Sequence, residues 1–130
     1  MLSRKVELGS LTLTIQRRAG LREPLQVLWL GKSEDVQPAR LLAPHFRDLL
    51  DEAGGRSAPL ELHFEELEYL NSSTLVALTQ LIRDARARGV RLIMFFDAER
   101  KWQKLTLDAL RVFVTGDGSL VLKPVGESIR

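Results

Sequence analysis

Asn71-Ser72-Ser73-Thr74-Leu75 is the stretch of this 130-residue sequence best suited to chemistry. Three hydroxyls follow an amide, directly before residues that are apolar at helical spacing. Asn, Ser and Thr at that place satisfy the orphan N–H groups of a helix start. The same place carries about half a positive charge from the helix dipole. A phosphate there would bring about −1.5 to −2 charges and gain roughly 0.3–2 kcal/mol from the helix end. In a dry contact with a second protein the same dianion costs several kcal/mol, and about 1.4 kcal/mol is tenfold in affinity. The stretch therefore reads either as a plain capping segment or as a switch that dismisses a partner without melting the fold.

Other reactive groups are sparse. His45 and His63 are the only histidines. Ser72 with one of them and an aspartate would make a hydrolytic triad, but no Gly-x-Ser-x-Gly elbow is present. Glu65, Glu66 and Glu68 cluster without the loop spacing of a Ca²⁺ site, so a solvated acidic loop is expected and no metal. Gly31-Lys32-Ser33 lacks the leading glycine of a phosphate-binding loop. Arg83, Arg86, Arg88 and Arg91 form a basic cluster without interleaved aromatics, the pattern of a solvated helix end more than a nucleic-acid surface. The absence of cysteine excludes disulfides, thiolate catalysis and Cys-ligated zinc. No cofactor is expected.

The elements that must hold residues 71–75 are legible in the hydrophobic period. Residues 11–15 alternate leucine and isoleucine with threonine, a half-buried strand. Residues 25–30 are β-like and should pair with it as an antiparallel hairpin. After a polar loop at 31–37, Pro38 opens a helix with Leu42, Phe46, Leu49, Leu50 and Ala53 on one face. Gly54-Gly55 should stop it, and Pro44 should restart or kink it. Residues 59–64 make a third strand, and 65–70 lead away to the helix that begins at 71. Its inner face is Leu75, Leu78, Leu81, Ile82 and Ala85, and Gly89 ends it. Residues 90–96 are almost continuously apolar and read as a central strand buried on both faces. Asp97 should cap a third helix through Trp102, Leu105, Leu107, Leu110 and Phe113. A turn at 115–118 and a strand at 120–122 complete the order β-β-α-β-α-β-α-β. Such alternation implies an α/β fold with a mixed, mostly parallel sheet and helices packed against it.

Bulk properties agree with one globular domain spanning residues 1–130, its core at about 11–123. The chain is 45% hydrophobic and 28% charged, with a net charge of +2 from 19 basic and 17 acidic residues. That small surplus gives no reason to expect a nucleic-acid partner. No stretch approaches the roughly 18 apolar residues of a membrane span, and no secretory h-region follows the basic start, so a cytoplasmic protein is expected.

Residues 60–75, Leu-Glu-Leu-His-Phe-Glu-Glu-Leu-Glu-Tyr-Leu-Asn-Ser-Ser-Thr-Leu, resemble the signature of the STAS family of anti-sigma factor antagonists. There a strand and a short connector reach an Asp-Ser-Ser-Gly-Leu motif at a helix start. Ala87-Arg88-Gly89 followed by Val90-Arg91-Leu92-Ile93 is similar to the family's helix-end glycine and next strand, and residues 105–113 to its third helix. Asn71 stands where the motif has aspartate, and Thr74 where it has glycine. His63 stands where aspartate or asparagine is common. The β-branched Thr74 is expected to narrow the approach to Ser72. The resemblance implies a single STAS-like domain in a bacterial cytoplasm that binds proteins and is not an enzyme. It implies partner switching with a serine protein kinase or anti-sigma factor, with Ser72 as the phosphorylated residue, ahead of Ser73 and Thr74. The implied contact face is Asn71, Ser72, Ser73, Thr74, Leu75 and Val76 with Ser33, Glu34 and Asp35. Some STAS domains instead sense a small ligand or serve as accessory subunits, which is the alternative reading. Monomer and dimer both remain open.

Overall fold

The threonine-spaced apolar residues do what their period requires. Leu11, Leu13 and Ile15 are buried, and Thr12 and Thr14 half-buried, in the strand Leu11–Arg17. The structure, a computed structural model, describes residues 2–20 and 22–125. Its elements are β1 (Leu2–Leu8), β2 (Leu11–Arg17), β3 (Leu25–Ser33), α1 (Pro38–Arg56), β4 (Leu60–His63) and β5 (Leu67–Leu70). There follow α2 (Ser72–Ala87), β6 (Leu92–Asp97), α3 (Lys101–Ala109) with a 3₁₀ turn at Leu110–Phe113, and β7 (Leu120–Val125). The sheet order is β1-β2-β3-β4-β6-β7, with β5 also paired on β3. The β1–β2 and β2–β3 pairs are antiparallel and the rest parallel. The mixed, mostly parallel α/β sheet is thus as expected.

Register places the core. Ile15, Val27, Leu62, Met94 and Leu122 lie in one row across five strands. All are buried in a single cluster with the inner residues of the three helices. Trp29 sits in it, its ring centroid 5.0 Å from Phe64 and 6.2 Å from Phe46. Burial of each such side chain contributes about 1.5–3 kcal/mol. The neighbouring row, Thr14, Leu28, His63, Phe95 and Lys123, faces the other way and is not part of that cluster.

This corrects the two-sided burial expected for the fourth strand. Its apolar run reflects one face in the core and a second face covered only by neighbouring side chains. Ile93 is buried to 7% exposure yet lies outside the core cluster. The imidazole of His63 stacks on Phe95 at 4.3 Å.

Two strands escaped the sequence reading. β1 alternates correctly, but Arg4 interrupts its apolar face. β5 shows a buried-exposed-exposed-buried pattern with no alternation. It forms because β3 runs past β4. β3 pairs with β4 along Leu25–Leu28, then with β5 along Gly31–Ser33, across a bulge between Gly31 and Lys32. Residues 31–33 are therefore strand, and the loop is only 34–37.

The helices also differ in detail. α1 runs through Pro44 and both glycines to Arg56, where Ser57 takes the left-handed C-cap at φ 53°. Pro44 and Arg40 both face solvent, so water can serve the carbonyl that the missing N–H leaves behind. The start of α3 is Arg100 and not Asp97, and Leu105 is 66% exposed. The buried face of α3 carries Gln103 in its place, fully buried. Of the arginine cluster, Arg86 donates to the Phe113 carbonyl at 2.6 Å and to Ser119 Oγ, and Arg91 to the Gly118 carbonyl. Arg88 is paired with Asp51. These three cations staple neighbouring segments.

Candidate functional site

β3 and α2 meet where the hydroxyl stretch lies. Asn71 is the N-cap of α2, with extended backbone at φ −89° and ψ 172°. Its Oδ1 accepts the Thr74 N–H at 2.9 Å and the Thr74 hydroxyl at 2.7 Å. Its Nδ2 donates to the Asp35 carbonyl at 2.9 Å, and its backbone N–H to the Ser33 carbonyl at 3.0 Å. Ser33 Oγ lies 2.7 Å from Thr74 Oγ1. One proton assignment satisfies every group. Ser33 donates to Thr74, Thr74 donates to Asn71, and Asn71 donates to Asp35. An aspartate at 71 would have no donor for the Asp35 carbonyl. That is a physical reason for the amide at this position.

The site residues named from the sequence separate into two kinds. Ser33 and Thr74 are buried and tie the end of β3 to the start of α2. Asn71 and Leu75 are half-buried, and Glu34, Asp35, Ser72, Ser73 and Val76 are exposed. Thr74 points inward, so it does not narrow the approach to Ser72, contrary to the steric expectation. Ser72 is not the cap. It occupies the first helical position, and among the described residues neither its hydroxyl nor that of Ser73 has a hydrogen-bond partner. No acidic residue stands in the first turn of α2 to offset the helix dipole.

Val36, 88% exposed, follows the Asp35 that Asn71 holds, and Val76, 68% exposed, lies one turn beyond Ser72. Tyr69, also exposed, joins Lys32, Glu34, Glu68 and Asn71 around a shallow depression beside them. Tyr69 was missed because it lies on the unrecognised β5. An aromatic directly after an acidic run and two residues before a helix cap was the available signal. On the other flank, Leu8, Leu11, Leu42, Lys32, Glu34 and Asp35 are among the residues around a cavity of about 230 Å³.

No family model matches the chain, and no curated protein does. Solved structures do. The anti-sigma factor antagonist SpoIIAA in its unphosphorylated form superposes with a TM-score of 0.58 over 90% of this chain and 92% of that one, at 14% identity. The chain has the STAS fold of SpoIIAA. The likeness is one of fold, and the side chains at the site are this chain's own. Among the described residues, no helix of this STAS fold is long and apolar enough to cross a membrane.

The two histidines of the STAS fold do not join Ser72. His45 is half-buried on α1, and His63 lies on the sheet face opposite the core. His63 Nε2 is 3.0 Å from Glu61 Oε1, and its Nδ1 is 3.5 Å from Glu65 Oε1. Only the imidazolium carries protons toward both carboxylates. Burial alone would lower the His63 pKa, but hydrogen bonding to Glu65 and Glu61 outweighs it and raises it above 6.5. Burial likewise pushes Glu65 up, and His63 with a backbone hydrogen bond more than reverses that, leaving it below 4.5.

The signs define a window. A raised histidine contributes stability that is complete below pH 6.5 and is lost as pH rises through the folded pKa. A depressed Glu65 contributes above pH 4.5 and loses its contribution as pH falls through its folded value. The urea midpoint of the wild type should therefore decline from the window between these values toward alkaline pH. His63→Gln should flatten that decline. Parallel wild-type and variant profiles above pH 6.5 would refute the coupling.

Proposed function

We propose that this chain is a non-enzymatic, protein-binding regulatory module of the partner-switching type, acting in a bacterial cytoplasm. Its partner is a serine protein kinase or anti-sigma factor, and phosphorylation of Ser72 releases that partner. The observation that carries the reading is the state of Ser72. It is exposed and unbonded at the first position of α2, while Asn71 and Thr74 do the capping. A hydroxyl with no structural duty can accept a phosphate at no cost to the fold. The exposed side chains of Val36 and Val76 flank it as the apolar part of a contact face. The fold shared with the anti-sigma factor antagonist SpoIIAA supports the reading.

A partner packed over these residues must desolvate anything added to Ser72. Ser72→Glu should weaken partner binding by about tenfold or more, and phosphoserine by about a hundredfold. Ser72→Ala should bind like the wild type. The fold itself should not suffer, because a negative charge in the first turn of α2 adds about 0.3–1 kcal/mol. The test is titration calorimetry of the three proteins against a serine kinase of the anti-sigma-factor type from the same host, with urea melts in parallel. Unchanged affinity for Ser72→Glu at an unchanged midpoint would sink the switch.

The cavity beside Ser33 and Asp35 favours a second reading, a phosphorylation-independent module that senses a small ligand. Its apolar floor and charged rim are the usual makings of such a pocket. Native mass spectrometry would decide for it by a reproducible adduct that disappears in Leu41→Trp, a cavity-lining residue outside the core.

A further inference from the structure

Among the described residues the sheet ends on β1 at one side and on β7 at the other. The two edges are built differently. β7 carries Pro124, which removes a backbone donor and blunts that edge. β1 has neither proline nor bulge. It pairs with β2 in unbroken register from Leu2↔Arg17 to Leu8↔Leu11. Its outer edge is a row of backbone groups with no strand beside it, the template for adding another strand.

The phase of that edge follows from the hairpin. Gly9 (φ 63°) and Ser10 form a two-residue loop, so Leu8 and Leu11 close it as a hydrogen-bonded pair. Pairs alternate from there. Val6 and Arg4 therefore turn their backbone groups to β2, and Ser3, Lys5 and Glu7 turn theirs outward. The side chains of Lys5 and Glu7 share the sheet face away from the core and are exposed. Val6 and Leu8 share the other face and are only half-buried against the core.

We infer that β1 pairs antiparallel with β1 of a second copy of this chain, about a twofold axis at Val6. The sequence Lys5-Val6-Glu7 is complementary to itself in that register. Lys5 then faces Glu7 of the second copy, Glu7 faces its Lys5, and Val6 packs on Val6. The outward backbone groups of Lys5 and Glu7 supply the hydrogen bonds. A pleated strand can slip only in steps that keep its faces. One step toward the N-terminus sets Lys5 against Lys5, and one step toward the C-terminus sets Glu7 against Glu7. The charges thus select a single register and penalise both neighbours, as cross-strand pairs do within a sheet. The joint would run two sheets into one through the edge opposite β7. It is small, below the ~1,200 Å² of a standard interface, so the dimer is weak and concentration-dependent.

Sedimentation equilibrium tests this on the full chain with any tag at its C-terminus. From roughly 10 µM to 1 mM, the span suited to so small a joint, the wild type should shift from monomer to dimer. Lys5→Glu and Glu7→Lys each place two like-charge pairs in the joint and should weaken association at least tenfold. Their urea midpoints at low concentration should match the wild type, since both positions are exposed. Mixed in equal amounts, the two variants should associate again as a heterodimer, because every facing pair is then complementary. A wild type that stays monomeric overturns the inference. So does a dimer indifferent to either single reversal, or a mixture that fails to associate.

Discussion

Gly31→Ala should lower the stability of this protein by about 3–5 kcal/mol, a third or more of what a domain of this size commonly has. Two independent causes add. Gly31 sits at φ 86°, where a Cβ costs about 1–2 kcal/mol in backbone strain. The Cβ would also lie 2.2 Å from the carbonyl oxygen of Ser10, and that atom is backbone. Ser10 cannot swing aside as a side chain would, because its carbonyl accepts the Lys32 N–H at 3.0 Å. Relief therefore means prying the β1–β2 turn off β3 and losing about 1 kcal/mol of hydrogen bonding as well. In urea the midpoint should fall by roughly 2 M with m nearly unchanged. A fall under about 0.3 M would mean that the close approach of turn and strand is not real. The effect should reach the candidate site, because Gly31 begins the stretch of chain that carries Ser33, at the end of β3, and Asp35, in the loop after it, to Asn71.

Gln103→Met should cost about 3 kcal/mol, although the two side chains are similar in length and volume. The amide of Gln103 is fully buried and uses both ends. Its Nε2 donates to the carbonyls of Phe64 and Leu67 at 2.8 and 3.1 Å, and its Oε1 accepts the Asp97 N–H at 2.7 Å. It thus spans from the end of β6 to the connector between β4 and β5, which feeds the start of α2. A thioether replaces none of these bonds. The Phe64 carbonyl retains the Leu67 N–H and the Leu67 carbonyl retains Arg100, so the orphaned Asp97 N–H is the main loss. Thermal unfolding should drop by roughly 10 °C. Gln103→Glu separates the contributions. It keeps the acceptor for Asp97 but turns a donor into a charge among carbonyls, and should be at least as damaging as the methionine. A methionine variant within about 2 °C of the wild type would show that α3 is not pinned by this amide.

Both residues serve the placement of one helix start, and this bears on how the proposed switch could work. The network of Ser33, Thr74, Asn71 and Asp35 is satisfied without Ser72. The frame of the site is therefore held by groups that are already bonded to one another. The part that a partner could reach is left with free hydroxyls and exposed valines. A phosphate at Ser72 would change the surface and leave the frame as it is.

How much of this was readable in advance depends on the range of the forces involved. The sequence by itself determined the α/β order, the antiparallel β2–β3 pair, the inner faces of α1 and α2, and the place of the hydroxyl stretch at a helix start. Each rests on hydrophobic period or on capping, which act within a few residues. Only the tertiary structure decided the rest. β5 exists because β3 runs past the end of β4 and leaves Gly31–Ser33 free to pair with it. The sheet is covered on one side because all three helices cross to the same face, a matter of connection and not of composition. Thr74 and Gln103 are polar residues at positions where local pattern expects a surface, and long-range hydrogen bonds draw them in. The same holds for Asn71. Its type announced a helix cap, but the choice of amide over carboxylate was settled by the Asp35 carbonyl, 36 residues away in the chain.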